Sequence, residues 1–210
     1  MNKMLVAYAT MSGSTAEVAL AIGEVLMQHG NEVDILPLEK VSDLSAYNAI
    51  VIGAPMVMGW HRSARKFLAK NQATIRQIPL AIFAIGLSLT TAGKTEVSGV
   101  PVFVDETLAK PMEIAGRPNL KERFTDINFY VAPIIKAAGL AHPVSVAFFG
   151  GRLEYTRLKL PAMLFVMLVV QASPGDRRNW DAIRSWAGSL PQLFNSRLAG
   201  NQPNWKRSST

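Results

Sequence analysis

The chain has no cysteine among its 210 residues. It therefore forms no disulfide, binds no zinc or iron–sulfur cluster through thiolates, and has no cysteine nucleophile. Histidine is scarce too, and His29, His61 and His142 lie too far apart in the sequence to show metal-ligand spacing. Charged residues make up only 18% of the chain against 49% hydrophobic residues. This balance excludes a disordered chain and predicts one domain with a sizeable core.

Internal repeats, low-complexity tracts and a signal peptide are also missing. The apolar run that follows Lys3 ends at Ala9, which is shorter than the apolar region of a signal peptide, and no small-residue cleavage site follows it. We therefore expect a cytoplasmic protein. A single domain over residues 1–198 and a disordered tail over residues 199–210 are the expected organisation.

The net charge of +7 is distributed unevenly. Residues 1–149 contain 13 basic and 12 acidic side chains, whereas residues 150–210 contain 9 basic and 3 acidic ones. A basic section of this kind can meet nucleic acid, an acidic partner or an anionic membrane surface. We expect no nucleic acid, because the basic residues are not interleaved with aromatic ones as in known binding modules.

Hydrophobic patterning predicts alternating strands and helices. Strand-like apolar runs occupy residues 4–9, 32–36, 50–53, 80–85 and 144–149. Helical spacing of apolar residues occupies 14–29, 63–74, 126–138 (where Pro133 should kink the helix or mark its start) and 181–198. Residues 88–122 are irregular, with one short helix expected near 105–115. Strands separated by helices imply right-handed crossovers, so we expect an α/β fold with a doubly wound, five-stranded parallel sheet in a three-layer sandwich.

Ligands of an open parallel sheet bind beyond the carboxyl ends of its strands, so the turns after Ala9, Gly53, Ile85 and Phe149 deserve inspection. The first turn, Thr10-Met11-Ser12-Gly13-Ser14-Thr15, has four hydroxyls and one glycine before a helix. Hydroxyls and free N–H groups at a helix start can bind a phosphate without lysine or metal. The simpler interpretation is an N-cap, but one hydroxyl would suffice for that.

Two other nucleotide motifs are absent. The glycine pattern G-x-G-x-x-G fails because the first turn contains only Gly13. Gly93-Lys94-Thr95 resembles the end of a P-loop, but Ser88 stands where the first glycine of that motif should be. We interpret this segment as a surface turn.

The first turn resembles the flavodoxin phosphate loop, T/S-x-T/S-G-x-T. Val51-Ile52-Gly53-Ala54-Pro55 followed by Gly59-Trp60-His61 resembles the second flavin loop. The segment from Phe148 to Tyr155, with the basic and apolar residues and the helix after it, resembles the flavodoxin-like protoporphyrinogen dehydrogenases that use menaquinone. The resemblance covers most of residues 3–195, in order.

The resemblance implies FMN as the cofactor. Its phosphate would be held by Thr10, Ser12, Gly13, Ser14 and Thr15, with Met11 also at the cofactor. One side of its isoalloxazine ring would be lined by Ala54, Pro55, Met56, Val57, Met58, Gly59 and Trp60. The other side would be lined by Leu87, Ser88, Leu89, Thr90 and Thr91. No metal is implied, and no catalytic acid or base stands out, because the flavin carries the redox chemistry.

Two positions depart from the family pattern. Val57 and Met58 stand where relatives often have a basic and an aromatic residue, and the third loop has no aromatic, so ring stacking falls to Met58 or Trp60. Trp60 is alternatively a core aromatic. His61 is either a proton donor or, the favoured interpretation, a hydrogen-bonded residue at a helix start.

The section after the fifth strand is an apolar and basic insertion, residues 152–178, followed by a C-terminal helix. Residues 160–175 carry no charge and are flanked by basic residues on both sides. The run is too short to span a bilayer, which takes ~20 apolar residues as helix. It is a core element, a homodimer surface or an interfacial helix at the inner face of the membrane.

Three functions remain open on this evidence. The first is an enzyme that passes electrons from a small-molecule reductant, protoporphyrinogen-like, to a quinone. The second is a carrier that shuttles electrons between soluble proteins. The third is a flavodoxin fold that has lost its flavin. Small carriers tend to be acidic and to end soon after the fifth strand, so the basic, longer chain favours the enzyme.

Overall fold

The computed structural model describes residues 2–56, 59–90, 95–110, 126–153 and 174–200, without the side chains of Lys110 and Leu140. Its strands are β1 (Lys3–Tyr8), β2 (Glu32–Pro37), β3 (Ala49–Pro55), β4 (Leu80–Gly86), β5 (Leu89–Thr90), β6 (Glu96–Val97), β7 (Val100–Val104), β8 (Ala109–Lys110), β9 (Ser145–Gly150), β10 (Arg152–Leu153) and β11 (Gly175–Asp176). Its α-helices are α1 (Ser14–Gln28), α2 (Arg62–Lys70), α3 (Gln72–Ile75), α4 (Ile127–Ala138) and α5 (Trp180–Gly200). Single 3₁₀ turns occupy Leu38–Lys40 and Gly139–Ala141.

The main sheet has the strand order β2-β1-β3-β4-β9-β7-β6. All its neighbouring strands run parallel except β6 and β7, which are antiparallel. The order runs outward from β1 in both directions, which is the switch in strand order where an α/β sheet opens a ligand crevice. The expected α/β fold with a doubly wound parallel sheet is confirmed.

Helices cover both faces of the sheet because each inner strand is apolar on both sides. Leu5 belongs to the core cluster under α2 and α4, whereas the next residue, Val6, belongs to the cluster under α1 and α5. In the second cluster Trp186 of α5 packs edge-on against Phe149 and donates its indole N–H to Ser145 Oγ at 3.0 Å. The three layers therefore form one tightly filled sandwich around β1, β3, β4 and β9.

The sheet has seven strands rather than the expected five. The additional strands, β6 and β7, lie in the segment that was expected to be irregular. Gly99 and Pro101 interrupt the apolar pattern there, but Pro101 lies outside Val102–Val104, the part of β7 that pairs with β9, and is opposite only the two-residue strand β6. β7 pairs with β9 in parallel and carries β6 outside it.

Smaller differences concern element boundaries. Residues 105–110 form a turn and the short strand β8 instead of the expected helix, and residues 111–115 lie outside the described part of the chain. Pro133 lies inside α4, which is capped by the Asp126 carboxylate accepting from the N–H groups of Asn128 and Phe129. The final helix continues to Gly200, two residues into the expected tail.

The expected insertion is described only at its two ends. Arg152–Leu153 and Gly175–Asp176 pair antiparallel as β10 and β11, and residues 154–173, which include most of the uncharged run, lie outside the described residues. Among the helices that the structure describes, none is both long enough and apolar enough to cross a membrane.

Candidate functional site

A cleft with about 470 Å³ of empty space lies beyond the carboxyl ends of β1, β3 and β4. The lining residues are Met11, Ser12, Ser14, Thr15, Pro55, Met56, Ile85, Gly86, Leu87, Gly151, Arg152 and Leu153. The turns after all four inspected strands therefore contribute to it or lie beside it.

One end of the cleft is the turn between β1 and α1. Gly13 has a φ of 91°, a left-handed conformation that suits glycine and strains other residues. Its N–H donates to Thr10 Oγ1 at 2.9 Å. Gly13 is also the N-cap of α1, and no side chain caps the helix. The hydroxyls of this turn are thus not used as an N-cap, which removes the simpler interpretation of the motif.

Two hydroxyls of the turn are buried at the start of α1. Ser14 is 5% exposed and Thr15 is 2% exposed. Ser14 Oγ accepts from the Arg152 N–H at 3.2 Å, and the part of the chain that the structure describes offers no acceptor for its hydroxyl hydrogen. Buried donors are normally paired, so this one calls for an acceptor in the cleft. Together with the positive end of the helix, it fits a phosphate group.

The other end of the cleft is apolar. Pro55 and Met56 follow β3, and the Met56 N–H donates to the Ile85 carbonyl at 2.8 Å. A Cβ added at Gly86 would lie 2.6 Å from Met56 Cε, so the missing side chain leaves room for the methionine. Flat apolar walls of this kind fit the faces of an isoalloxazine ring.

The expected ring-binding residues are placed unevenly. Val57, Met58 and Thr91 lie outside the described residues. Ala54 is fully buried, and Leu89 and Thr90 are buried in β5, paired with β8. The residues of this set that line the cleft are Pro55, Met56 and Leu87; Ser88, which is 9% exposed, and Gly59 do not line it.

Trp60 belongs to the hydrophobic core. It is 2% exposed and packs in the cluster beneath α2 and α4 rather than on the wall of the cleft. It also forms an isolated antiparallel bridge with Met56, which lines the cleft. The core interpretation of Trp60 is therefore favoured, and its indole N–H is buried without a hydrogen-bond partner in the described chain.

His61 is the N-cap of α2. Its Nδ1 accepts from the Ser63 N–H at 3.4 Å and lies 2.7 Å from Ser63 Oγ. Burial lowers the pKa of His61, which favours the neutral ring that such a cap needs. The geometry thus agrees with the helix-start interpretation of this histidine.

The wall formed by Gly151, Arg152 and Leu153 was missing from the expected site. The sequence signal for this wall is the turn after Phe149, to which the resemblance assigns no cofactor-binding residue. Two glycines let this wall pack closely: a Cβ at Gly150 would lie 2.0 Å from the Arg177 carbonyl oxygen, and one at Gly151 would lie 2.8 Å from Ile85 Cγ2.

Charged side chains surround this wall without forming a metal site. Arg152 pairs with Glu17 at 3.0 Å, and Arg178 pairs with both Glu17 and Asp176. The Arg178 guanidinium lowers the pKa of the Glu17 carboxyl and that of the Asp176 carboxyl. Across the described ranges, no group of three or more His, Cys, Asp or Glu could hold a metal ion.

The chain was also compared with known protein families, curated proteins and solved structures. Residues 5–178 match the family model described as a flavodoxin domain. Protoporphyrinogen IX dehydrogenase [quinone] of Escherichia coli (strain K12) is 20% identical over 202 residues, covering 91% of this chain and 96% of that protein. Among solved structures, a flavodoxin from the domain Archaea is 14% identical with a TM-score of 0.46, covering 92% of this chain and 99% of that one. Rubredoxin oxygen:oxidoreductase from Desulfovibrio gigas is 13% identical with a TM-score of 0.49, covering 95% of this chain and 37% of that one.

Proposed function

Because this chain belongs to the flavodoxin domain family, we propose that it is an FMN-dependent oxidoreductase that passes electrons from a protoporphyrinogen-type substrate to a quinone. FMN is the cofactor of the family fold, and when bound it supplies the redox chemistry by accepting and returning electrons. The protein's own residues hold the flavin, exclude water from its ring and admit the substrate.

The observation that carries the proposal is the two-ended cleft. At the turn between β1 and α1, the uncapped helix start and the Ser14 hydroxyl offer donors to a phosphate. At the ends of β3 and β4, Pro55, Met56 and Leu87 offer apolar contact to a ring. A ligand with an anionic tail and a flat apolar head, as FMN has, satisfies both ends.

The substrate part of the proposal is supported by the curated relative. Its name states protoporphyrinogen IX as substrate and a quinone as acceptor, and the match covers 96% of its length. In such a reaction the porphyrinogen loses hydrogen and the quinone gains it as a quinol. The basic C-terminal section also supports an enzyme over a small acidic carrier, because it continues well beyond the fifth strand of the family core.

Loading with FMN is tested first. The apoprotein is titrated with FMN and with riboflavin, and binding is followed by the quenching of flavin fluorescence. We expect FMN to bind at micromolar concentration and riboflavin, which lacks the phosphate, to bind far more weakly. Failure to bind FMN would leave the third hypothesis, a fold that has lost its flavin. Equal binding of both would show that the turn does not hold the phosphate.

Substrate and acceptor are tested with the loaded protein under anaerobic conditions. We expect protoporphyrinogen IX to bleach the flavin absorbance and a menaquinone analogue to restore it. A Gly13→Val variant treated in the same way is the control for reaction without bound flavin. If the porphyrinogen leaves the flavin oxidised while a flavodoxin reductase bleaches it, the protein is a carrier between proteins.

We further propose that the protein works at the inner face of the membrane, where a quinone resides. The basis is the charge of residues 150–210, since each basic residue near an anionic surface contributes about 1 kcal/mol. Sedimentation with vesicles tests it: anionic vesicles at low salt should carry the protein down, and neutral vesicles should carry less. Protein that stays in the supernatant with anionic vesicles would contradict membrane contact and leave core or homodimer burial for residues 160–175.

A further inference from the structure

The backbone of β10 touches the phosphate-binding turn directly. The Arg152 N–H donates to Ser14 Oγ at 3.2 Å, although the two residues are 138 positions apart in the sequence. A serine hydroxyl has one hydrogen and two acceptor lone pairs. Because the Arg152 N–H occupies an acceptor site of Ser14, the hydroxyl hydrogen is left to point elsewhere, and the adjoining open space is the cleft.

Four charged side chains hold β10 in this place, and we refer to Glu17, Arg152, Asp176 and Arg178 as the clamp. Glu17 lies in the first turn of α1, and its Oε1 accepts from Arg152 Nη2 at 3.0 Å. Its Oε2 accepts from Arg178 Nη1. Arg178 Nε in turn donates to Asp176 Oδ1 at 2.8 Å, and Asp176 is the partner of Arg152 in the β10–β11 pair.

The clamp is more than a surface ion pair. The Arg178 side chain is only 5% exposed, and its guanidinium lies 4.6 Å from the ring centre of Trp180. Single exposed pairs contribute little, whereas a network around a buried arginine is held in one geometry. Glu17 is the member that belongs to α1, so it ties β10 and β11 to the helix that begins at the phosphate-binding turn.

The clamp carries no net charge, because its two carboxylates balance its two guanidinium groups. The turn Thr10–Thr15 contains no charged residue either. The clamp therefore does not act on a phosphate mainly as a counter-charge. What it can set is the position of the Arg152 backbone, and through it the direction of the Ser14 hydroxyl.

We propose that Glu17 is a positioning residue for the phosphate of FMN, acting through the Arg152 N–H and the Ser14 hydroxyl. This inference rests on the binding of FMN described under the proposed function. Glu17 holds the Arg152 backbone where its N–H donates to Ser14 Oγ. The Ser14 hydroxyl then donates its hydrogen to a phosphate oxygen. A flavin without a phosphate gains nothing from this arrangement.

The test compares the dissociation constants of FMN and riboflavin in three forms of the protein. Wild type is compared with Glu17→Gln and with Glu24→Gln, an exposed carboxylate of the same helix whose loss changes the net charge equally. We expect Glu17→Gln to raise the FMN constant about threefold to tenfold, the worth of roughly one hydrogen bond, and the riboflavin constant less than about twofold. Glu24→Gln should leave both constants unchanged. Thermal unfolding of the apoproteins verifies that both variants fold.

A double-mutant cycle decides whether Glu17 acts through Ser14. In a Ser14→Ala background, Glu17→Gln should change the FMN constant less than about twofold, because the hydroxyl that it positions is gone. An undiminished effect in that background, or an equal loss for FMN and riboflavin in Glu17→Gln, would overturn the inference while leaving FMN binding intact. A wild type that does not bind FMN would overturn the cofactor assignment and this inference together.

Discussion

The two ends of the cleft are built in different ways. The end proposed for the phosphate is one turn of consecutive residues, Thr10–Thr15, at the start of one helix. The end proposed for the ring is assembled from two strand ends, at Met56 and Gly86, which are far apart in the sequence. Local sequence dictates the first end, and packing of the sheet dictates the second. Changes at the first end should therefore discriminate between FMN and riboflavin, and changes at the second should not.

The largest effect is expected from Gly13→Val. Valine at a φ of 91° is strained, and its side chain would occupy the approach to the phosphate. We expect the FMN dissociation constant to rise about 100-fold or more, which corresponds to roughly 3 kcal/mol, and the riboflavin constant to change much less. Fluorescence titration of both flavins measures it. If Gly13→Val weakened FMN binding less than Ser88→Ala does, the phosphate would lie on another turn.

Gly86→Ala probes the ring end. The new methyl would lie 2.6 Å from Met56 Cε, so the methionine must move into the cleft or away from it. We expect the dissociation constants of FMN and riboflavin to rise by the same factor, about threefold to tenfold, since both flavins have the same ring. Gly188→Ala is the matched control, because its methyl would meet nothing closer than 3.8 Å. A loss confined to FMN would break the distinction between the two ends.

The clamp beside the phosphate end should respond to acid. Its arginines hold the pKa of Glu17 below the ordinary value of 4.5, chiefly through the Arg178 hydrogen bond. A lowered folded-state pKa contributes stability above the unfolded value, and that contribution is lost as the pH falls through the folded value. Wild type should thus melt above Glu17→Gln by a constant difference near neutral pH. That difference should shrink toward zero below about pH 4. Closure between pH 6 and 7 would instead implicate a histidine.

Ser88→Ala is expected to have the smallest effect. Ser88 is 9% exposed and does not line the cleft among the described residues. It provides at most one hydrogen bond, worth about 0.5–1.5 kcal/mol. We expect both flavin constants to change by less than about threefold in the same titrations. A selective loss of FMN binding here would move the phosphate toward the third loop.

Most of the central sheet could be predicted from apolar runs. Residues 80–85 and 144–149 were placed within a residue or so of β4 and β9, because a strand buried on both faces is a nearly continuous apolar run. β7 escaped prediction because Gly99 and Pro101 interrupt the apolar pattern around its few apolar residues. These residues are signals of a loop elsewhere, but Pro101 is tolerated here because it lies outside the residues of β7 that pair with β9, Val102–Val104.

The candidate site could be predicted in the same uneven way. The Thr10–Thr15 turn, part of which lines the cleft, could be proposed as a phosphate site because its hydroxyls and glycine before a helix form a local pattern. Trp60 could not be assigned from sequence, since an aromatic beside a flavin loop and an aromatic in the core have the same local pattern. Its burial to 2% exposure depends on how α2 and α4 close over β3.

The sequence by itself determined the alternation of buried strands and helices, the parallel sheet and the charge-free hydroxyl turn, because each is a property of neighbouring residues. Only the tertiary structure decided that the Arg152 N–H donates to Ser14 Oγ. It also decided that the Glu17 carboxylate accepts hydrogen bonds from two arginines, 135 and 161 positions away. The physical reason is that hydrogen-bond and ion-pair partners are chosen by distance in space. That distance is set by the carboxyl ends of parallel strands, which meet at one edge of the sheet whatever their separation in the chain.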